Sequence, residues 1–340
     1  MPEQTELSPI HFFDTINAYQ RSEALKAAIE LNIFTAIAEG HETAAAIAQH
    51  CATAERGARI LCDYLTIIGF LTKPEDNRYQ LTPDSAAFLN RHSPAYLGGA
   101  TEFLLSPMLL AGFKETAAAV RKGGTVVGQE GGTVAPDNPI WVSFARGMGA
   151  MMAMPAQMIA QLVDPQADQP LRILDIAAGH GRFGLAFATR NPQAHVTALD
   201  WAAVLEVAKE NAAQVGVMDR YETIAGSAFD VDFGGPYDVV LLTNFLHHFD
   251  PPTNETLLHK VHAALADSGR AVTLEFVPNE DRVSPPPAAM FSLVMLVGTP
   301  AGDAYTRSEL EQMAANAGFT RNEFHPLPQF PASVLISHKG

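Results

Sequence analysis

Only two of the 340 residues are cysteines, Cys51 and Cys62. So few thiols, so placed, make neither a disulfide framework nor a zinc site, and both read as buried, reduced side chains. Basic residues are also scarce: 22 Lys and Arg stand against 37 Asp and Glu, a net charge of -15, with no compact basic stripe to offset it. A surface of that sign repels phosphates, so nucleic acid is not the expected partner. The apolar runs are interrupted too often to require a membrane span. The opening stretch, MPEQTELSPI, carries acids where a secretory leader needs a basic region followed by an apolar segment. A cytoplasmic protein is the resulting expectation. What the chain does have is 47% hydrophobic and 17% charged residues, over a length that accommodates two separate cores.

The most informative stretch runs from Leu171 to Trp201. LRILDIA reads as a buried strand, a turn with Gly179 and Gly181 follows, a helix starts near Arg182, and a second apolar run ends on Asp200. This is half of a nucleotide-binding α/β sheet, in which the glycines let the backbone pass close to a ligand. Asp200 stands where a carboxylate accepts hydrogen bonds from a ribose diol. A dinucleotide fold places GxGxxG directly after the strand, whereas here Asp175 precedes the turn. A carboxylate there repels a pyrophosphate and suits a cationic ligand. S-adenosylmethionine, with its ammonium and sulfonium, is such a ligand. The segment DIAAGHG, Asp175 to Gly181, resembles the DxGxGxG motif of class I S-adenosylmethionine-dependent methyltransferases, with Ala177 at the usual first glycine.

Taken in order, residues 11–39 recur at helical spacing up to Gly40. Thr43 and Thr53 stand as caps of two further helices, the second ending at Gly69, and Phe70 to Thr72 with Arg78 to Leu81 predict a hairpin. Helices and hairpin together predict a winged-helix-like module. Glu55, Arg56, Arg59 and Asp63 cancel within one helix, so the module reads as a packing or dimerisation element rather than a DNA reader. Pro107 marks a helix start, GGTVVGQEGGTVAPDNP a loop, and 140–163 a helix with a kink at Pro155. The polar segment DPQADQP divides the chain into 1–162, a dimerisation and substrate-lid domain, and 163–340, the cofactor domain. Further strands are expected at Tyr221 to Ile224, Asp238 to Thr243, Gly269 to Phe276, Asn322 to His325 and Ser333 to His338. A TxxE capping box begins at Thr306. The fold class is α/β: a carboxyl-terminal Rossmann-like domain with a mixed sheet, preceded by an all-helical winged-helix-like domain.

Ligands of open α/β sheets bind at the carboxyl ends of the strands. Those ends collect Asp175, Asp200, the turn of Ser227, Ala228 and Phe229, the segment from Asn244 to His248, and Glu275. The methionine part is expected over Asp175 and Gly179 with Gly181, the ribose at Asp200, and the adenine between Trp201 and the Ser227 to Phe229 turn. NFLHHFD, Asn244 to Asp250, is similar to the VLHDWxD segment of the caffeic acid and hydroxyindole O-methyltransferases, and the whole chain resembles that family. The resemblance implies a homodimer in which His247 removes the proton from a substrate hydroxyl and Glu275, in TLEFVP, orients it. His248 takes a place often held by aspartate. Two departures stand out: Ser227 replaces the family's acid in GDxF, and Ala304, in GDAYT, replaces a second histidine-supporting acid, leaving Asp303 or Tyr305 to face the pocket. Phe144, Met148, Met152, Met290, Phe291 and Met295, with His248, are the candidate wall of a flat apolar pocket. Two adjacent histidines and one distant glutamate specify no metal triad, so none is expected. O-methylation of a small aromatic or polyketide-like metabolite is the leading reading. C-methylation of an enolisable molecule, a ligand-sensing winged-helix protein and a dinucleotide oxidoreductase stay open.

Overall fold

The computed structural model describes residues 7–128, 131–328 and 330–340. The first six residues of the acidic opening stretch, and Gln129 and Glu130 of the glycine-rich loop, lie outside the described residues. Packing divides the chain into two compact units, 1–101 and 102–340. The sheet itself begins at Leu171, so residues 102–162 belong by packing with the sheet that follows.

In the amino-terminal unit the helices Ile10–Ile16, Ala18–Glu30, Ile33–Ala38, Ala44–His50, Glu55–Ile67 and Pro83–Phe88 accompany an antiparallel hairpin, β1 (Leu71–Thr72) and β2 (Gln80–Leu81). Its core is built on Ile33, Phe34, Ile47, Cys62, Leu65 and Tyr79. Each fully buried large side chain contributes about 1.5–3 kcal/mol. The Tyr79 hydroxyl donates to Asp63 Oδ1 at 2.8 Å, which satisfies its one buried polar atom. The run read as one helix over 11–39 is broken at Asn17 and at Asn32, which sits in the left-handed region at φ 58°. Thr43 caps its helix by accepting from the Ala46 amide, as its sequence context predicts. Thr53 does not: Ala54 takes the cap position, and the buried Thr53 hydroxyl has no partner.

The second unit holds a seven-stranded sheet in the order β5-β4-β3-β6-β7-β9-β8, where β3 is Leu171–Ile176, β4 Ala194–Asp200, β5 Tyr221–Ala225, β6 Tyr237–Thr243, β7 Leu265–Glu275, β8 Arg321–Pro326 and β9 Ser333–His338. Strands β3 to β7 pair in parallel, and β9 runs antiparallel to both β7 and β8, giving the expected mixed sheet. Helices Arg182–Arg190, Ala202–Gln214, Pro251–Ala264 and Arg307–Asn316 connect these strands. The middle strands read as unbroken apolar runs because both faces are covered: Ile173, Leu174, Ile176 and Val239 to Leu242 have no exposed surface. From β3 the chain moves outward to β4 and β5, then returns to β6 on the other side of β3. The carboxyl ends of β3 and β6 therefore flank the point where the winding reverses, the place where such sheets take ligands.

Ser106 caps the helix Pro107–Lys114, with Pro107 at its first position as predicted. The stretch 140–163 is two helices, Ile140–Met148 and Ala153–Val163, and not one kinked at Pro155. Pro155 lies in the first turn of the second, where its missing amide proton costs no hydrogen bond. Thr306 and Glu309 form the complete capping box.

Candidate active site

The rim at the carboxyl ends of β3 and β4 holds two buried carboxylates and the glycine turn. Asp175, fully buried, accepts from the Gly184 amide in the first turn of the helix Arg182–Arg190 at 2.9 Å, while its Oδ1 has no partner. Burial, and then the nearby Asp200 charge, raises its pKa to about 7. Asp200 accepts from the Gly179 amide at 2.8 Å and from its neighbour Trp201 at 2.7 Å, and burial raises it to about 6. Asp200 thus pins the turn that follows Asp175. Ala177, Gly179 and Gly181 all lie at positive φ, 53°, 56° and 71°. Gly181 has a second reason to lack a side chain, since a Cβ there would stand 2.6 Å from the buried Tyr221 hydroxyl.

His180, between the two glycines, is buried, and its Nδ1 accepts from the Arg182 amide at 3.1 Å. Burial lowers its pKa to about 3, so the ring is neutral and carries its proton on Nε2. Beyond β5, Ser227 turns back to accept from the Phe229 amide at 3.2 Å. Lys260 holds this turn by donating to the carbonyls of Ala228, Phe229 and Val231.

The second half of the rim lies at β6 and β7. Glu275, at the end of β7, accepts through Oε1 from the amides of Phe245 and Leu246 at 2.9 and 2.8 Å. Its Oε2 meets His247 Nδ1 at 2.5 Å, with both residues buried. A carboxylate only accepts, so the proton sits on Nδ1 and the lone pair on Nε2. Asn244 adopts φ 55° at the end of β6, and its buried Oδ1 has no partner. His248 is buried, its pKa pushed well below the ordinary value by burial first and His247 second. Asn254 braces the turn from below, its amide donating to the Leu246 and Phe249 carbonyls at 2.9 and 3.2 Å.

Aromatic rings connect the two halves. Phe144 stacks on His180 at 5.9 Å and lies against Gly179, while Trp141 meets both Phe144 at 5.7 Å and His248 at 5.1 Å. His247 lies 4.2 Å from His248 and 4.8 Å from Phe291, which stacks on Phe276 at 4.2 Å. Trp141 is positioned by the glycine-rich loop, its indole donating to the Thr133 carbonyl at 2.9 Å. Met148, Met152 and Met295 are buried, whereas Met290 is 65% exposed. Neither substitute for the missing acid faces the site. Asp303 pairs with Arg282 on the exposed side at 3.1 Å, and the Tyr305 hydroxyl donates to the Phe249 carbonyl. Ala304 is buried, and Gly302 packs so tightly on the His247 carbonyl that no side chain fits.

Sequence reasoning missed Lys260, Asn254, Phe276 and the ring role of His180. Asn254 left a signal, because asparagine inside a helix is unfavourable unless its amide has a task. Lys260 left none, since its partners are carbonyls of a turn remote in sequence.

The buried acids around a glycine turn and the carboxylate-held histidine opposite define a methyltransferase-type site, and comparison with known proteins places the chain more closely. A family model for the O-methyltransferase domain matches residues 114–320, and one for the O-methyltransferase dimerisation domain matches 13–91. The chain belongs to the S-adenosylmethionine-dependent O-methyltransferase family. A crystal structure from Nostoc punctiforme, provisionally described as an O-methyltransferase, is 56% identical and superimposes with a TM-score of 0.94 over 98% of this chain and 100% of that one. The 3-hydroxy-5-methyl-1-naphthoate 3-O-methyltransferase of Streptomyces sahachiroi is 28% identical over 91% of this chain and 89% of its own. The L-tyrosine C(3)-methyltransferase of Streptomyces lavendulae is 25% identical over 58% of this chain and 54% of its own. Among the described residues no helix is long and apolar enough to cross a membrane.

Proposed function

We propose that the chain methylates a hydroxyl of a small aromatic or polyketide-like metabolite, with His247 as general base. The observation that carries this reading is the His247–Glu275 pair, which leaves the Nε2 lone pair available to a substrate hydroxyl. S-adenosylmethionine, when bound, supplies an electrophilic methyl carbon. The residues present fit that cofactor: the unpartnered Asp175 oxygen is placed for a cationic group, and the left-handed turn at Gly179 and Gly181 exposes backbone without side chains. Asp200 would accept ribose hydroxyls on the lone pairs its two amide bonds leave free, and Trp201, Ser227, Ala228, Phe229 and Asn244 would border the adenine. His247 takes the hydroxyl proton, and Glu275 holds the ring in the accepting tautomer as charge develops on it. Phe144, Met148, Met152, His248, Phe291 and Met295 would hold a flat acceptor in place, which contributes to rate by orientation. The naphthoate-methylating relative supports an aromatic acceptor.

The dimerisation domain fits a homodimer, and the exposed apolar side chains Ile10, Phe12, Phe13, Ile16 and Tyr19 offer it a surface. We place the functional division at 162/163, with residues 102–162 walling the substrate side of the sheet domain.

Transfer of isotopically labelled methyl from S-adenosylmethionine to a panel of naphthols, other phenols and β-keto acids tests the reading. Label on oxygen, lost in His247→Ala, is expected. Label on carbon would move the assignment to C-methylation, for which the buried Ala304 in place of a second acid leaves room. No transfer to any acceptor, with no cofactor bound, would overturn both.

A further inference from the structure

Three of the four histidines in residues 1–101, His41, His50 and His92 but not His11, gather around the carboxylate of Glu39. They arrive from separate places in the chain. Glu39 caps the end of the helix Ile33–Ala38, and Gly40, at φ 94°, reverses the backbone so that the His41 amide bonds back to the Ala36 carbonyl at 3.0 Å. His50 is the last residue of the helix Ala44–His50. His92 sits in the loop beyond the helix Pro83–Phe88, held by a 3.1 Å bond from its amide to Asn90.

One ligand atom from each of Glu39, His41 and His50 lies within 4.8 Å of the other two. The rings of His41 and His50 stack at 4.2 Å, and His50 Nε2 stands 3.3 Å from Glu39 Oε2. In a tetrahedral site with zinc–ligand distances of about 2.0–2.1 Å, two ligand atoms lie roughly 3.3 Å apart, so this edge already has the length an ion requires. The other two edges, both to His41, are no longer than 4.8 Å, and His41 is half-buried. His92 Nε2 meets the other Glu39 oxygen at 2.9 Å. That contact fixes the carboxylate's direction, as outer partners of metal ligands do.

We propose that Glu39, His41 and His50 form a site for one divalent transition ion of the zinc class, with His92 orienting Glu39 and solvent at the fourth position. Imidazole and carboxylate donors suit zinc and its neighbours better than calcium or magnesium, which take oxygen ligands. The site lies in the amino-terminal unit, apart from the strand-end histidines for which no metal is expected. An ion there would tie the turn after one helix to the end of the next and stabilise the folded unit by mass action.

Calorimetric titration of the full-length, chelator-treated protein with zinc chloride tests this, with melting temperature read alongside. One ion per chain in the micromolar range is expected, together with a zinc-dependent rise in melting temperature. His41→Ala and His50→Ala should each weaken binding at least about tenfold, the loss of one of three ligands, while His11→Ala leaves it unchanged. Glu39→Gln keeps the shape and a hydrogen-bond acceptor but removes the charge, so it should also weaken binding if the alanine variants fold poorly. Absence of saturable zinc binding would overturn the proposal. So would binding that persists in His41→Ala with His50→Ala, or that falls equally in His11→Ala.

Discussion

The two halves of the sheet rim handle buried carboxylates in opposite ways. At β3 and β4, Asp175 and Asp200 meet only backbone amides, one Asp175 oxygen has no partner, and burial raises both pKa values. At β6 and β7, Glu275 has a side-chain partner in His247 and two close amides besides. The first half is costly until a cation arrives, since a buried carboxylate without a counter-charge is unfavourable. The second is complete by itself and presents a single lone pair. On the proposed reading, cofactor binding and proton transfer fall to different halves of one sheet, and the aromatic rings from Phe144 to Phe291 span the interval.

If that separation holds, the largest effect belongs to the second half. His247→Ala should reduce turnover about 10²–10⁴-fold, the usual worth of a general base, while leaving cofactor affinity within about twofold, read by steady-state kinetics beside calorimetry. Equal losses in both quantities would erase the distinction. Asp175→Asn should do the reverse, weakening S-adenosylhomocysteine binding roughly 10- to 100-fold, as expected for a charge-assisted contact of about 1.5–3 kcal/mol.

The pH dependence sharpens the same contrast. A cation needs the carboxylate, so affinity should fall as pH drops through about 7, the Asp175 value, and at pH 5.5 should be roughly thirtyfold weaker than at pH 8. Stability of the ligand-free protein moves the other way. The folded pKa of Asp175 lies above its ordinary 3.8, so its contribution is fully present below about pH 4 and is lost as pH rises through about 7. The smallest effect tests the turn itself. Ala177 sits at φ 53°, where a side chain costs about 1–2 kcal/mol, and Ala177→Gly should recover a fraction of that, seen as a melting temperature higher by about one degree.

The first half was the more legible in sequence, for a physical reason. A buried parallel strand is an apolar run, a left-handed turn demands glycine, and both are local, so DIAAGHG announced itself despite Ala177. In the second half NFLHHFD and Glu275 were visible through the family resemblance, and Asn254 left only the weak signal of an asparagine inside a helix. The bonds from the Phe245 and Leu246 amides to Glu275 on β7 join residues remote in sequence and leave no local pattern. The fate of GDAYT shows the limit most clearly. Sequence placed Asp303 and Tyr305 beside an empty acid position, whereas the exposed Arg282 draws one away and the Phe249 carbonyl takes the other. The helix breaks at Asn32 and ahead of Pro155 were likewise hidden, because apolar spacing continues across them.

Whether Glu275 acts through His247 is tested most directly by a double-mutant cycle on methyl transfer by cofactor-saturated protein. Glu275→Gln keeps an acceptor oxygen for the amides of Phe245 and Leu246 while removing the charge beside Nδ1. A slower rate is expected in Glu275→Gln, a still slower one in His247→Ala, and no further loss when the two are combined. Losses that multiply in the double variant would show that Glu275 works independently of His247, contradicting the pair as the catalytic unit.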